Sequence, residues 1–63
     1  MLTDKILTEY GLPSYENGYY SINDELTVDV EGDIRLETFS GNTWICKVYN
    51  IEELKLFIQW VNR

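Results

Sequence analysis

Six carboxylates in the middle of the chain are the residues whose type and spacing could support chemistry. They are Asp24, Glu25, Asp29, Glu31, Asp33 and Glu37. Within the same stretch, only Arg35 carries the opposite charge. Carboxylates so close together can ligate a cation or form an anionic surface that attracts a partner.

A calcium loop is the most specific of these arrangements, and the spacing argues against it. If Gly32 were the loop glycine, Thr38 would stand where such a loop needs its closing glutamate. The remaining oxygen ligands are not spaced as a calcium loop requires. We therefore expect neither a metal ion nor another cofactor.

Enzymatic activity is also not expected, because the chain contains no histidine, the side chain best suited to proton transfer near neutral pH. The serines lie in or beside predicted loops without an evident base. The lysines have little buried volume in which their pKa could be lowered. The single cysteine, Cys46, is expected to be a small core residue rather than a reactive thiol. We predict no catalytic residues.

The net charge of −6 favours an anionic surface as the role of the acidic stretch. Binding to a nucleic-acid backbone needs clustered Lys and Arg, and an anionic membrane would repel this chain. A protein partner with a basic surface is attracted instead. The alternative is that these carboxylates are only the solvated face and edge of a sheet, where charge prevents edge-to-edge aggregation.

Aromatic and apolar residues outside the expected core give a second candidate surface. Tyr15, Tyr19 and Tyr20 are interpreted either as the rim of the core or as part of a recognition surface. Leu56 and Trp60 lie four residues apart on the side of a predicted helix that faces away from the sheet. They are either an interface anchor, for a partner or a second copy, or are covered by residues 1 to 22.

The acidic stretch lies in a predicted three-stranded antiparallel meander from Leu26 to Val48. A three-residue loop, Glu31-Gly32-Asp33, pairs Val30 with Ile34 and places Asp29 opposite Arg35. Gly32 is expected at positive φ. A second odd loop, Ser40-Gly41-Asn42, then gives a core face consisting of Leu26, Val28, Val30, Ile34, Leu36, Trp44, Cys46 and Val48.

Two helices flank the meander. Thr3 as N-cap and Gly11 followed by Pro13 predict a helix from Asp4 to Tyr10. Asn50 and Glu53, in the positions of a capping box, predict a helix from Ile51 to about Asn62. Its apolar stripe consists of Ile51, Leu54, Phe57, Ile58 and Val61, and we expect that side to face the sheet.

The predicted fold is therefore a single α+β domain over residues 1–63. It has a short N-terminal helix, a three-stranded meander and a C-terminal helix packed on one face of the sheet. Residues 19 to 22 add a fourth, edge strand in the alternative arrangement. The chain has no long apolar stretch and no signal-peptide pattern, which indicates a cytoplasmic protein.

The segment Ser21 to Leu36, SINDELTVDVEGDIRL, resembles a strand-turn-strand of the type VDVDGDVxL found in phage-encoded proteins of unknown function. In those proteins leucine-rich-like repeats follow, and here they do not. In size, charge and element order the chain is also similar to phage anti-CRISPR proteins, which occupy the DNA-binding grooves of host nucleases. This resemblance implies a phage or prophage protein, acting in the host cytoplasm on a nuclease or defence protein.

The function predicted from the sequence is thus that of a non-enzymatic binding protein, which inhibits or regulates a host protein through its acidic surface. The alternative is a structural module that forms homodimers through Leu56 and Trp60.

Overall fold

The computed structural model describes residues 1–62 and contains two helices and five antiparallel strands. In chain order these are α1 (Asp4–Tyr10), β1 (Ser14–Glu16), β2 (Tyr19–Ser21), β3 (Leu26–Asp29), β4 (Asp33–Thr38), β5 (Gly41–Lys47) and α2 (Ile51–Val61). The strands form one sheet in the order of the chain. The α+β class is confirmed, and the predicted number of strands, three or four, was too low. Arg63, the last residue of the predicted domain, lies outside the described residues.

The additional strand is β1, for which no strand is predicted from the sequence. Ser14 pairs with Tyr20 and Glu16 with Tyr19, with a shift in register between the two pairs. Gly18, in the turn between β1 and β2, has a φ of 84°. Asn-Gly is a strong hairpin signal, but three residues are too few for an alternating pattern to be recognised. The optional fourth strand corresponds to β2.

The β3–β4 hairpin has an odd loop and Gly32 at a φ of 91°, as predicted. Its register is displaced by two residues, because Val28 rather than Val30 pairs with Ile34. A displacement of two residues leaves every side chain on its expected face. At Gly32, a Cβ atom would overlap the carbonyl oxygen of Val48, whose N–H donates to the Gly32 carbonyl at 2.9 Å. This close approach requires glycine.

The β4–β5 hairpin differs more from its prediction, and Trp44 changes face as a result. Thr38 pairs with Gly41, so the loop is Phe39-Ser40 and not Ser40-Gly41-Asn42. A β-bulge follows, because Ile34 pairs with Cys46 but Arg35 pairs with Trp44. The extra residue reverses the alternation of side chains along β5. Cys46 therefore keeps its predicted face, and the prediction of Trp44 in the core was wrong.

We call the face of the sheet that carries Val28 and Ile34 the inner face and the opposite one the outer face. The buried cluster contains residues of this face together with Leu7 of α1 and Leu54 of α2. Its members are Leu2, Leu7, Tyr20, Val28, Ile34, Val48 and Leu54. Leu26, Val30 and Cys46 are half-buried and pack against it. Both helices thus contribute to the core on one side of the sheet.

The bounds predicted for α1 are confirmed, and both of its ends are capped by the expected residues. The Thr3 hydroxyl oxygen accepts a hydrogen bond from the Ile6 N–H at 3.1 Å. At the other end, Gly11 adopts a left-handed conformation with a φ of 102°. The Leu12 N–H then donates to the Leu7 carbonyl at 3.2 Å. These contacts satisfy backbone groups that a helix of two turns otherwise leaves unpaired.

Helix α2 begins where the sequence predicts. The side chain of Asn50 accepts a hydrogen bond from the Glu53 N–H at 2.9 Å. The Glu53 carboxylate in turn accepts from the Tyr49 N–H at 2.7 Å, one residue before the partner expected in a capping box. Glu53 is therefore part of the helix start as well as an exposed charge.

Candidate partner-binding surface

The six carboxylates of the acidic stretch divide into two groups in the structure. Asp24, Glu25 and Glu31 lie in loops and are exposed, as a partner-binding role requires. Asp29, Asp33 and Glu37 are half-buried, and each of them bonds to a neighbouring part of the sheet. The predicted surface is therefore not one continuous anionic stripe.

Asp29 fixes the β3–β4 loop and holds Arg35. One of its carboxylate oxygens accepts from the backbone N–H groups of Glu31 and Asp33, at 2.9 and 3.1 Å. The other accepts from Arg35 Nη1 at 2.9 Å. This hydrogen bond is the main reason that the pKa of Arg35 is raised. The expected ion pair is thus present, although the residue directly opposite Arg35 is Thr27.

Asp33 extends this contact into a network across three strands. Its Oδ1 accepts from the Trp44 indole N–H at 3.0 Å and lies 4.0 Å from Lys47 Nζ. Its Oδ2 lies 4.0 Å from Arg35 Nη2. We call Asp29, Asp33, Arg35 and Lys47 the outer-face network. Two negative and two positive charges cancel within it, so the formal net charge of −6 belongs to the other ionisable residues.

Along β4, Asp33 lies two residues before Arg35 and Glu37 lies two residues after it. Glu37 contacts β3. Its Oε2 accepts from the Thr27 hydroxyl at 3.2 Å, and its backbone N–H donates to the Glu25 carbonyl at 2.7 Å. Glu25 and Glu37 therefore lie on neighbouring segments of the sheet, although they are far apart in sequence. Among the described residues, no basic side chain forms an ion pair with either carboxylate.

The three tyrosines of the predicted recognition surface do not share a face. Tyr15 and Tyr19 are exposed, by 50% and 36%. Tyr20 is buried in the core, and its hydroxyl donates to Asp4 Oδ1 at 2.6 Å, which is the main cause of its raised pKa. Successive residues of a strand point to opposite faces. Tyr20 is therefore not part of an exposed surface, and its inclusion there was wrong.

Tyr15 and Tyr19 line a groove, which we call the acidic-aromatic groove. Its volume is about 160 Å³, and its lining residues are Tyr15, Glu16, Tyr19, Glu37 and Asn42. A shallower depression of about 400 Å³ adjoins it and shares Tyr15 and Glu37. Glu16 and Asn42 were not expected in a site. The only sequence signal for Glu16 is the Asn17-Gly18 turn that returns the chain beside Tyr19.

Leu56 and Trp60 are exposed by 66% and 64%, so residues 1 to 22 do not cover them. The Trp60 ring lies against Phe57, with 6.2 Å between the ring centroids. Helix α2 packs on the core through its buried Leu54, while Leu56 and Trp60 remain exposed. We call the side of α2 that carries Leu56 and Trp60 its outer side, and it forms a second candidate surface.

The described residues hold no metal cluster, no activated thiol and no membrane-spanning helix. Among residues 1–62, no three Asp, Glu or Cys side chains come together as metal ligands would. Cys46 is half-buried, and desolvation raises the pKa of its thiol, which makes the reactive thiolate less accessible. Within the same residues, no helix has the length and apolar character needed to cross a membrane.

Comparison of the chain with protein families, with curated proteins and with solved structures found no match.

Proposed function

We propose that this chain is a non-enzymatic binding protein that inhibits or regulates a host protein by contacting a basic surface of it. The observation that supports this proposal is the charge arrangement. The outer-face network is neutral in itself, so exposed carboxylates elsewhere, among them Asp24, Glu25 and Glu31, retain the negative charge of the chain.

Such a charge mainly affects the rate of association with a partner and the choice between partners, and affects affinity less. An anionic surface increases the rate at which a basic partner associates, and salt reduces this effect because the Debye length is about 8 Å at physiological ionic strength. The same charge repels nucleic-acid backbones and anionic membranes. The resemblance of residues 21–36 to phage-encoded proteins makes a host nuclease or defence protein the first partner to test.

The test is a pull-down from a host lysate at low and moderate salt, with the wild type and two charge variants. One variant combines Glu25→Gln and Glu31→Gln, in the predicted partner-binding stretch. The control combines Glu9→Gln and Glu52→Gln, two exposed carboxylates on the helices, and changes the net charge equally. We expect a salt-sensitive partner that the first variant loses and the control retains. Capture that is insensitive to salt and to Glu25 and Glu31 contradicts the proposal.

The exposure of Leu56 and Trp60 favours a second candidate function, self-association through the outer side of α2. Light scattering should then show a dimer that Trp60→Ala converts to a monomer, whereas Trp44→Phe on the outer face of the sheet leaves it intact. A wild-type chain that is monomeric at high micromolar concentration contradicts this candidate.

A further inference from the structure

We infer that the acidic-aromatic groove binds the side chain of one arginine, presented by an extended segment of a protein partner. This inference rests on the proposed function in one respect, namely that the partner has a basic surface. Beyond the proposed function, it names the groove as the contact site and arginine as the partner residue.

The size of the groove indicates a single side chain. Its volume of about 160 Å³ is below the range of roughly 300 to 1,000 Å³ typical of pockets for small-molecule ligands. The adjoining depression, lined by Thr38 and Phe39 in addition to the shared residues, is open to solvent and leaves room for the backbone on either side of that side chain.

The charge of the lining selects a cation. Glu16 and Glu37 contribute two carboxylates, and no Lys or Arg lines the groove among the described residues. Arg35, two residues before Glu37 on β4, is bonded to Asp29 at 2.9 Å. The Glu37 carboxylate forms no ion pair within the described residues, and the one side-chain hydrogen bond it accepts there comes from the Thr27 hydroxyl. A cation in the groove would therefore meet two carboxylates without displacing an existing ion pair.

The aromatic lining favours arginine over lysine. A guanidinium group stacks on an aromatic ring and donates five N–H groups in a fixed plane, whereas an ammonium group acts as a point charge. Tyr15 and Tyr19 supply rings, and the carboxylates and the Asn42 side chain supply acceptors around them. The chain already places a cation over a tyrosine elsewhere, since Lys55 Nζ lies 5.9 Å from the centroid of the Tyr10 ring.

The test is an NMR titration of the ¹⁵N-labelled chain at low salt with three end-blocked tripeptides. Their central residue is arginine, lysine or citrulline, the last of which keeps the shape of arginine without its charge. We expect the arginine peptide to shift the amide signals of the groove residues most, the lysine peptide less and the citrulline peptide little.

Two charge variants with the same net charge test the location. Glu16→Gln with Glu37→Gln should weaken binding of the arginine peptide at least about fivefold, because both charged contacts are lost. Glu9→Gln with Glu52→Gln should weaken it less than about twofold. Glutamine at position 37 keeps an oxygen for the Thr27 hydroxyl, and Glu16→Gln alone, at an exposed position, provides a variant whose folding is not at risk.

The inference is overturned if the two double variants weaken binding equally, if citrulline binds as well as arginine, or if no peptide shifts the groove signals. These outcomes are separate from a failure of the proposed function. A partner captured through Glu25 and Glu31, together with a groove that binds no arginine, would support the proposed function and reject this inference. Arginine binding in the groove without any basic partner in the lysate would support this inference and reject the proposed function.

Discussion

The two faces of the sheet are held together by different interactions. On the inner face, Val28 and Ile34 are fully buried and pack in one cluster with residues of both helices. On the outer face, in the part of the chain that the structure describes, no helix covers the sheet, and Asp29, Asp33 and Arg35 bond to one another and to Trp44. One face is stabilised by burial and the other by polar contacts that remain close to water.

This difference explains why three of the six carboxylates in the predicted acidic site became part of the scaffold. Partly exposed ion pairs contribute little free energy individually, but they fix geometry when one carboxylate also accepts backbone N–H groups, as Asp29 does. The carboxylates that remain for a partner are those that form no ion pair within the described residues, Glu37 among them.

The first prediction concerns the inner face. Ile34→Ala should lower the free energy of unfolding by about 2 to 5 kcal/mol, because it leaves a cavity at a fully buried position. The control is Ile45→Ala, on the next strand at the bulge, where the side chain is 42% exposed and the loss should be at most about 1 kcal/mol. Urea denaturation measures both. Equal losses would show that the two positions are not differently buried.

The second prediction concerns the loop of the β3–β4 hairpin, with the turn of the β1–β2 hairpin as its control. Gly32→Ala and Gly18→Ala both place alanine at positive φ, but only at Gly32 does the added Cβ overlap a neighbouring carbonyl. Gly32→Ala should therefore cost about 1 to 3 kcal/mol more than Gly18→Ala, as overpacking does. Thermal denaturation of the two variants gives this difference. If the two losses are the same, the approach of Gly32 to Val48 is not a constraint on the fold.

The third prediction concerns the outer-face network. Asp29→Ala should cost about 1 to 2 kcal/mol, since it removes the partner of Arg35 and the acceptor of two loop N–H groups. Asp29→Asn keeps the acceptor but loses the charge, and we expect a smaller loss. Asp24→Ala, at an exposed loop position, should change stability by less than about 0.5 kcal/mol. Denaturation curves in which Asp29 and Asp24 behave alike would exclude a structural role for this network.

The fourth prediction concerns Trp44. Trp44→Phe removes the indole N–H that donates to Asp33 and should cost less than about 1 kcal/mol, because the side chain is 56% exposed. Trp44→Ala separates the two possible faces, since a tryptophan in the core would cost about 3 to 5 kcal/mol when truncated. A loss of that size, measured by the same denaturation, would return Trp44 to the inner face.

Local signals in the sequence were sufficient for the helices and for the faces, although not the register, of the β3–β4 hairpin. The caps of α1 and α2 depend on a few neighbouring residues, so Thr3, Gly11 and Asn50 could be assigned without knowing the rest of the fold. The alternation of β3 and β4 likewise identified Val28 and Ile34 as core residues. Their register was displaced because Asp29 forms the loop with its side chain, which an alternating pattern does not reveal.

The candidate site was less predictable. The acidic residues and Tyr15 and Tyr19 could be named from their type, but their grouping depends on which strands are neighbours. Glu16 joins Glu37 only because β1 folds back on β2 and the sheet brings both to one groove. Tyr20 was misplaced because it alternates with Tyr19 along β2 and so points to the opposite face. Trp44 was misplaced because the bulge in β5 shifts it to the outer face. Neither outcome follows from residue type.

The sequence by itself therefore determined the class of the fold, both helices and the inner-face residues Val28 and Ile34, because capping and alternation act over a few residues. Tertiary structure alone decided which carboxylates are neutralised and which are exposed, because an ion pair depends on distances between strands. The same holds for the acidic-aromatic groove, which exists only where five short strands, each with few local signals, come together in one sheet.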